Sequence, residues 1–449
     1  MLWIIAKKEF LENLLNQRFA ISIVLAALIA WMSTFALTKN YNDEVADYYR
    51  RVNLQSGMLD SYFHMQAWGG AVTRPPKPPS VLSSLVRGIQ SDWIMLGSLD
   101  ENPVPALSPF MDILFVIGII MSVAALTLSY DRISGEKEIG TLKLLVIGSY
   151  ARAKILLGKW LGGILSVVLI LLIAFVGSVL IAYILSQSAW TATEWITLGA
   201  LFFLSALYCT SFYSIGLYIS AKTKQPSDSV ILALLFWILF TLIIPTLPPY
   251  IADTIYPTPS ASKLQYELFF KLEQERRDAI RALRAPYVAQ RISENEIAEI
   301  TKAETDKINA EYSRKRHKKE QSAMDKSAVR ELITALFHFF SPFSSYALAG
   351  AELTATGAWN QVDFIRKASS YEVNITEYLN RKEEEAKKTN SNYTKMTKLD
   401  VRDRPRFDYA EEDISHRLAA AAIHSIFVMI YAMLFFVLAW KAFLRYDVR

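Results

Sequence analysis

Six apolar runs constrain this chain more than any other feature: 19–38, 110–130, 160–185, 195–220, 230–247 and 418–440. A helix needs about 20 mostly apolar residues to cross a hydrocarbon core roughly 30 Å thick. Each run has that length, so the sequence predicts an all-α polytopic membrane protein with six transmembrane helices. Hydrophobic residues make up 52% of the 449 and charged ones only 20%, which fits such a chain and not an ordinary soluble domain. The first run follows 18 residues that include Glu9 and Glu12, and it is longer than the apolar core of a secretion signal, so it is expected to remain as an anchor.

The short loops predict the orientation, because Lys and Arg favour the cytoplasmic side. Segments 1–18, 131–159, 221–229 and 441–449 hold 14 Lys/Arg against 7 Asp/Glu, while 187–194 has neither Lys nor Arg. Both termini are therefore expected in the cytoplasm. Segments 39–109 and 248–417 are then extracytoplasmic, and residues 251–415 balance at 27 basic and 27 acidic. The net charge of +5 is an excess on the cytoplasmic face, not a nucleic-acid signature. The basic run "RKRHKK" (Arg314–Lys319) reads as a solvated helix face.

Residues 1–18 predict an interfacial helix in contact with lipid. Trp3, Ile4, Phe10, Leu11, Leu14 and Leu15 share one face, Glu9, Glu12, Asn13 and Asn16 lie opposite, and Lys7 and Arg18 border the apolar side. Segment 39–109 contains the extended "RPPKPPS" (Arg74–Ser80). In 248–417 a charged helical stretch carries an irregular stripe of Leu268, Leu272, Ile280, Leu283, Ile292 and Ile300. The aromatic "TALFHFFSPFSS" (Thr334–Ser345) is expected to return to the membrane surface or to pack on outer helices.

Between the second and third runs lies "YDRISGEKEIGTLKLLVIGSYARAKILLGKW" (Tyr130–Trp160). Thr141 can cap a short helix over 142–147 that is apolar except at Lys143, and Gly148 can end it. Such a surface in cytoplasm calls for a groove to receive it. The carboxylates of Glu136 and Glu138 stand beside it, able to hold a basic partner or to pin neighbouring helices.

This stretch resembles the loop between the second and third spans of ABC-2 type transport permeases, and Lys7–Phe19 resembles the helix that precedes their first span. The resemblance covers the whole membrane-embedded part. It implies a coupling helix that docks on a separate ATP-binding subunit, with Glu136, Glu138, Gly140, Thr141, Leu142, Leu145 and Val146 in that role. It further implies two ATPase copies carrying ATP and Mg, and a second permease copy or a homologous permease. The setting would be the bacterial cytoplasmic (inner) membrane. The two large outer insertions, including "KPPSVLSSLVRG" and "SPFSSYALAGAELTATG", resemble a subfamily with extracytoplasmic domains, which allows an extracytoplasmic protein partner.

The resulting organisation is an interfacial connecting helix (1–18), a transmembrane helix (19–38), an extracytoplasmic segment (39–109) and a second transmembrane helix (110–130). A cytoplasmic coupling loop (131–159), three transmembrane helices (160–247), an extracytoplasmic helical domain (248–417), a last transmembrane helix (418–440) and a cytoplasmic tail (441–449) follow. The function expected is that of a permease subunit. The alternatives are mechanical work on an extracytoplasmic partner without translocation, or a non-transporting scaffold.

No cofactor, metal or catalytic site is expected in this chain. "ARAKILLGKW" has Ala153 where a phosphate-binding loop needs its first Gly and Trp160 where it needs a hydroxyl. The charged residues Asp112, Glu194 and Asp228 fall at span ends. His424 is expected to be a hydrogen-bonded structural residue. A stripe of Ser205, Tyr208, Ser211, Ser214 and Tyr218 in the fourth span could line a pathway or a dimer seam, although packing explains it as well.

Overall fold

The computed structural model describes residues 2–60, 75–88, 111–142, 152–257, 266–390 and 399–445, with 263, 264, 394 and 397. Helix is the regular structure throughout, and no strand occurs among the described residues. The chain is thus an all-α polytopic membrane protein. Five helices are long and apolar enough to cross a membrane: Gln17–Leu59, Arg152–Leu185, Ala192–Lys222, Pro226–Ile255 and Ile414–Leu444. The second expected crossing is the shorter apolar helix Ile113–Thr127. At 1.5 Å per residue its 15 residues rise only ~22 Å.

In chain order, α1 (Leu2–Leu14) precedes α2 (Gln17–Asp60), a helix of 44 residues that continues far beyond its apolar run. Next come α3 (Ile113–Thr127), α4 (Ser134–Ile139), α5 (Arg152–Leu185), α6 (Ala192–Lys222) and α7 (Pro226–Ile255). A charged helical region follows, with α8 (Leu272–Ala289), α9 (Glu294–Ile300) and α10 (Lys302–His338). Then come α11 (Pro342–Leu353), α12 (Ala358–Thr389) and α13 (Ile414–Leu444).

Two compact units arise. The first holds Met1–Trp93, Val104–Pro245 and Phe339–Arg449, and the second Ile94–Pro103 and Thr246–His338. In the second, α8 is bound to α10 by Arg276, which reaches both Glu273 (2.6 Å) and Asn309 (2.7 Å). The stripe expected there is only partly buried: Leu268 and Leu272 are, Ile300 is not, and Ile297 enters the interior instead. The charged helix breaks at Gln290–Ser293, where Arg291 adopts φ 57°. The basic run is a helix face as expected, with Lys315 paired to Glu311 at 2.7 Å and Lys319 to Glu267 at 3.2 Å.

The first unit is organised around α6, which is packed by α13, α5, α3 and α11. Polar residues at the helix ends act as caps. Asp112 accepts from the Phe115 amide at 2.8 Å, and Glu194 closes a capping box with Thr191 at 2.6 Å. Large apolar side chains of α2, α7 and α13 face outward, where lipid would solvate them.

The segment after "TALFHFF" goes deeper than the sequence predicts. Instead of lying on the surface, α11 enters the core of the first unit, where Tyr346, Ala349 and Leu353 are buried among span residues. Its aromatic content suggested an interface, but Ser344, Ser345, Ala347, Ala349 and Gly350 make it slim enough for close approach.

Candidate functional site

The stretch between α3 and α5 converges with α1 on one buried ion network. Two glycines of α5, a turn apart, make this possible. A Cβ on Gly162 would lie 2.4 Å from the Ala6 carbonyl, and one on Gly158 would lie 2.7 Å from Ile5 Cγ2. With only hydrogen there, α1 presses its backbone onto α5. Its polar side then faces the protein: Glu9 and Asn13 are buried, while Trp3, Ile4, Leu11 and Leu15 are exposed. The apolar face expected to meet lipid is thus free to do so, and half of the opposite face is absorbed into the interior.

Lys159 of α5 is the centre of this network. Its Nζ lies 2.6 Å from Glu9 Oε1 and 2.7 Å from Glu136 Oε1. Arg132 approaches the other oxygen of Glu9 at 3.6 Å and donates to Asn13 Oδ1, whose amide in turn donates to Ser166 at 3.0 Å. Two carboxylates face two cations, so the formal charges balance, as burial demands. Arg18, expected to border lipid, instead pairs with Asp131 at 2.6 Å and lies over the Tyr130 ring.

The short helix α4 is fastened to the end of α6. The Ser220 hydroxyl accepts from the amides of Ile133 and Ser134, both at 2.9 Å, and satisfies donors that a helix start leaves open. Lys137 reaches the opposite orphans, the carbonyls of Ala221 (2.5 Å) and Thr223 (2.8 Å) at the α6 C-terminus. Burial lowers the Lys137 ammonium to about 8. Ser134 also accepts from Ser229 of α7 at 3.0 Å. One short helix therefore grips α5, α6 and α7 directly, and α1 through the shared Lys159.

The residues singled out in sequence divide accordingly. Glu136 is committed to Lys159. Leu142 is fully buried with Ile133, Ile155, Leu217 and Phe443, a core position and not an exposed one. Glu138 and Thr141 are exposed. Gly140 ends α4 in the left-handed conformation, φ 82°, with open space where a Cβ would stand. Leu145 and Val146 lie outside the described residues. Sequence reasoning missed Ile139, which is 77% exposed beside Gly140. An isoleucine next to a helix-ending glycine was the available signal.

In the fourth span, Ser205, Tyr208, Ser211 and Ser214 are buried and hydrogen-bonded within the chain. Ser205 bonds Tyr346 OH at 3.0 Å, Tyr208 donates to Gly118 O at 2.7 Å, Ser211 to Val428 O at 3.0 Å, and Ser214 accepts from Trp160 at 3.0 Å. The Tyr218 ring lies tilted at 54° to that of Phe435, with centroids 6.0 Å apart. These bonds give the stripe a packing role. The Nδ1 of His424 has no hydrogen-bond partner among the described residues; the ring lies instead 5.1 Å from that of Phe339. No group of His, Cys, Asp and Glu among the described residues could hold a metal ion.

Residues 3–448 match the family described as ABC-2 family transporter protein. The chain belongs to the ABC-2 transporter family. It is similar to the probable ABC transporter permease proteins NosY of Stutzerimonas stutzeri, at 35% identity over 124 residues, and of Pseudomonas aeruginosa, at 33% over 124 residues. The matched stretch is 28% of this chain and 45% of each relative, so this ABC-2 chain spans less than half the length of those permeases.

Proposed function

We propose that this chain is the transmembrane subunit of an ABC transporter, and that α4 and the residues after it receive force from a separate ATP-binding subunit. The reading rests on one observation: exposed Ile139 stands beside Gly140 on a six-residue helix fastened to α5, α6 and α7, and through Lys159 to α1. A push on so short an element would be delivered to four helices together.

In this reading two ATPase subunits, which bind ATP and Mg, act on two permease chains, either identical or homologous. Both termini and α4 lie in the cytoplasm, and 39–109 and 248–417 lie outside the bacterial inner membrane. Closure of the ATPase pair tilts α4, and the spans carry the motion outward to drive export. This chain hydrolyses no nucleotide itself.

The test is copurification. Ile139→Asp places a carboxylate in the docking contact, where an unpaired charge would be desolvated. The ATPase should copurify with the wild type and be lost with Ile139→Asp, while permease yield and melting temperature stay unchanged. Full retention of the ATPase would remove Ile139 from the interface. The purified permease should show no ATP turnover without its partner.

A further inference from the structure

Two helices attached to α4 depart from α-geometry in matching places. In α3 a π segment occupies Val116–Met121, and in α7 another occupies Ile238–Ile243. Each π turn releases a carbonyl from the regular ladder, and such bulges recur at functional positions. The one in α7 precedes Pro245, whose ring nitrogen cannot donate back to Thr241.

In each π segment one carbonyl accepts a hydroxyl from outside its own helix. Gly118 O accepts from Tyr208 OH at 2.7 Å, and the Tyr208 ring stacks on Tyr346 of α11 with centroids 4.4 Å apart. Phe240 O accepts from the hydroxyl of Ser341, the cap of α11, at 2.6 Å. Trp237 of α7 donates to Ser122 of α3 at 2.8 Å, tying the two bulged helices together. The fit between α3 and α11 is reciprocal. A Cβ on Gly118 would lie 2.3 Å from the Phe343 ring, and one on Gly350 would lie 2.5 Å from Leu114 Cδ2.

We propose that α11 is a moving wedge, seated between the two π segments and shifted when α4 is displaced. The inference rests on the permease reading above and names the element to which force is delivered. A π turn can pass a carbonyl from one donor to another, so a helix bends there without losing its ladder. The hydroxyls of Ser341 and Tyr208 are the donors that such an exchange would release. Straightening either span withdraws a carbonyl from the α11 seat, and the two glycine contacts turn that local change into a displacement of the whole helix. The apolar spans α3 and α7 thereby act as push-rods, without any buried charge along them.

The experiment tethers the wedge in the assembled complex. With Cys209, the one cysteine of the sequence, replaced by alanine, Leu114→Cys with Gly350→Cys places two thiols within reach of a short bifunctional thiol reagent. Cross-linking should lower ATP turnover by about tenfold, as expected when a gating step is blocked. Reductive cleavage should restore the rate, with permease-to-ATPase stoichiometry unchanged throughout. An assembled, fully cross-linked complex with undiminished turnover overturns the wedge alone. Absence of any copurifying ATPase overturns the permease reading itself, and this inference with it. Should the cysteine pair not accumulate, amide exchange on the unmodified complex decides the point. Protection of residues 342–353 should change between the nucleotide-free and vanadate-trapped states, and identical protection overturns the proposal.

Discussion

Lys159 and Glu9, 150 residues apart in sequence, meet at 2.6 Å with each side chain only 3% exposed. Neither could be buried without the other, because an isolated ion in a low-dielectric interior is too costly. The pair fixes α1 on α5, and Glu136 joins α4 to the same ammonium.

Breaking this network from its centre should therefore be severe. Lys159→Met leaves Glu136 without its cation and Glu9 with only the more distant Arg132, and removal of one partner from a buried pair costs about 3–5 kcal/mol. The variant should show reduced yield and a lower melting temperature in detergent. Combining it with Glu9→Gln should recover part of the loss, since one uncompensated charge is gone. A double variant no better than the single would show that packing and not charge sets the penalty.

Topology is testable with single cysteines in a Cys209→Ala background. Ile139→Cys and Lys307→Cys are both exposed and should label from opposite sides of the membrane, the former only after permeabilisation. Labelling of both from outside would reverse the proposed orientation.

Two lysines outside the spans give a pH signature. Burial lowers Lys77, which donates to Gln361 at 2.8 Å, to about 8, and Lys137 is lowered similarly. Between that value and the ordinary 10.5, the unfolded chain retains protons that the folded chain has released. The contribution of these two lysines to stability should thus rise with pH, most plainly below the ordinary tyrosine value of 10.0, above which raised tyrosines such as Tyr378 and Tyr409 act in the opposite sense. Lys77→Met should remove about half of the rise in a melting series, the share of one of two equivalent groups. An unchanged slope would mean that Lys77 stays solvated in the folded protein.

Docking by the residues after Leu142 is tested by Leu145→Asp against Lys143→Ala. The aspartate should abolish ATPase copurification while the alanine is tolerated, and permease stability should be the same in both. Loss of the permease itself with Leu145→Asp would mark position 145 as interior, like Leu142.

The spans were legible because long apolar runs have few alternatives in a membrane. The caps at Asp112 and Glu194 were legible because carboxylates inside such runs belong at helix ends. What escaped was pairing at a distance. Nothing local to Glu9, Asn13 or Arg132 says that they are buried, since their partners lie far along the chain and the seat is made by two glycines of another helix. The depth of α11 escaped for a similar reason. Aromatic residues with serines suit a membrane interface as well as a core, and only the facing Gly118 and Gly350 decide between them. Leu142 reads as a docking residue in sequence because an apolar island invites a partner, yet in the fold it packs within the chain itself.

The cluster that receives Leu142 is assembled from residues that emerge at very different times during synthesis. Ile133, Leu142 and Ile155 appear early, Leu217 and Ala221 later, and Ala439 and Phe443 only with the last helix. Arg152 also reaches the Leu444 carbonyl at 3.2 Å. Until α13 is threaded into the bilayer, the wall behind α4 is missing. A nascent or truncated permease would thus present no finished docking element, and an ATPase could be recruited only by a fully inserted chain. In the proposed reading, the contacts that carry force would also certify that translation and insertion are done.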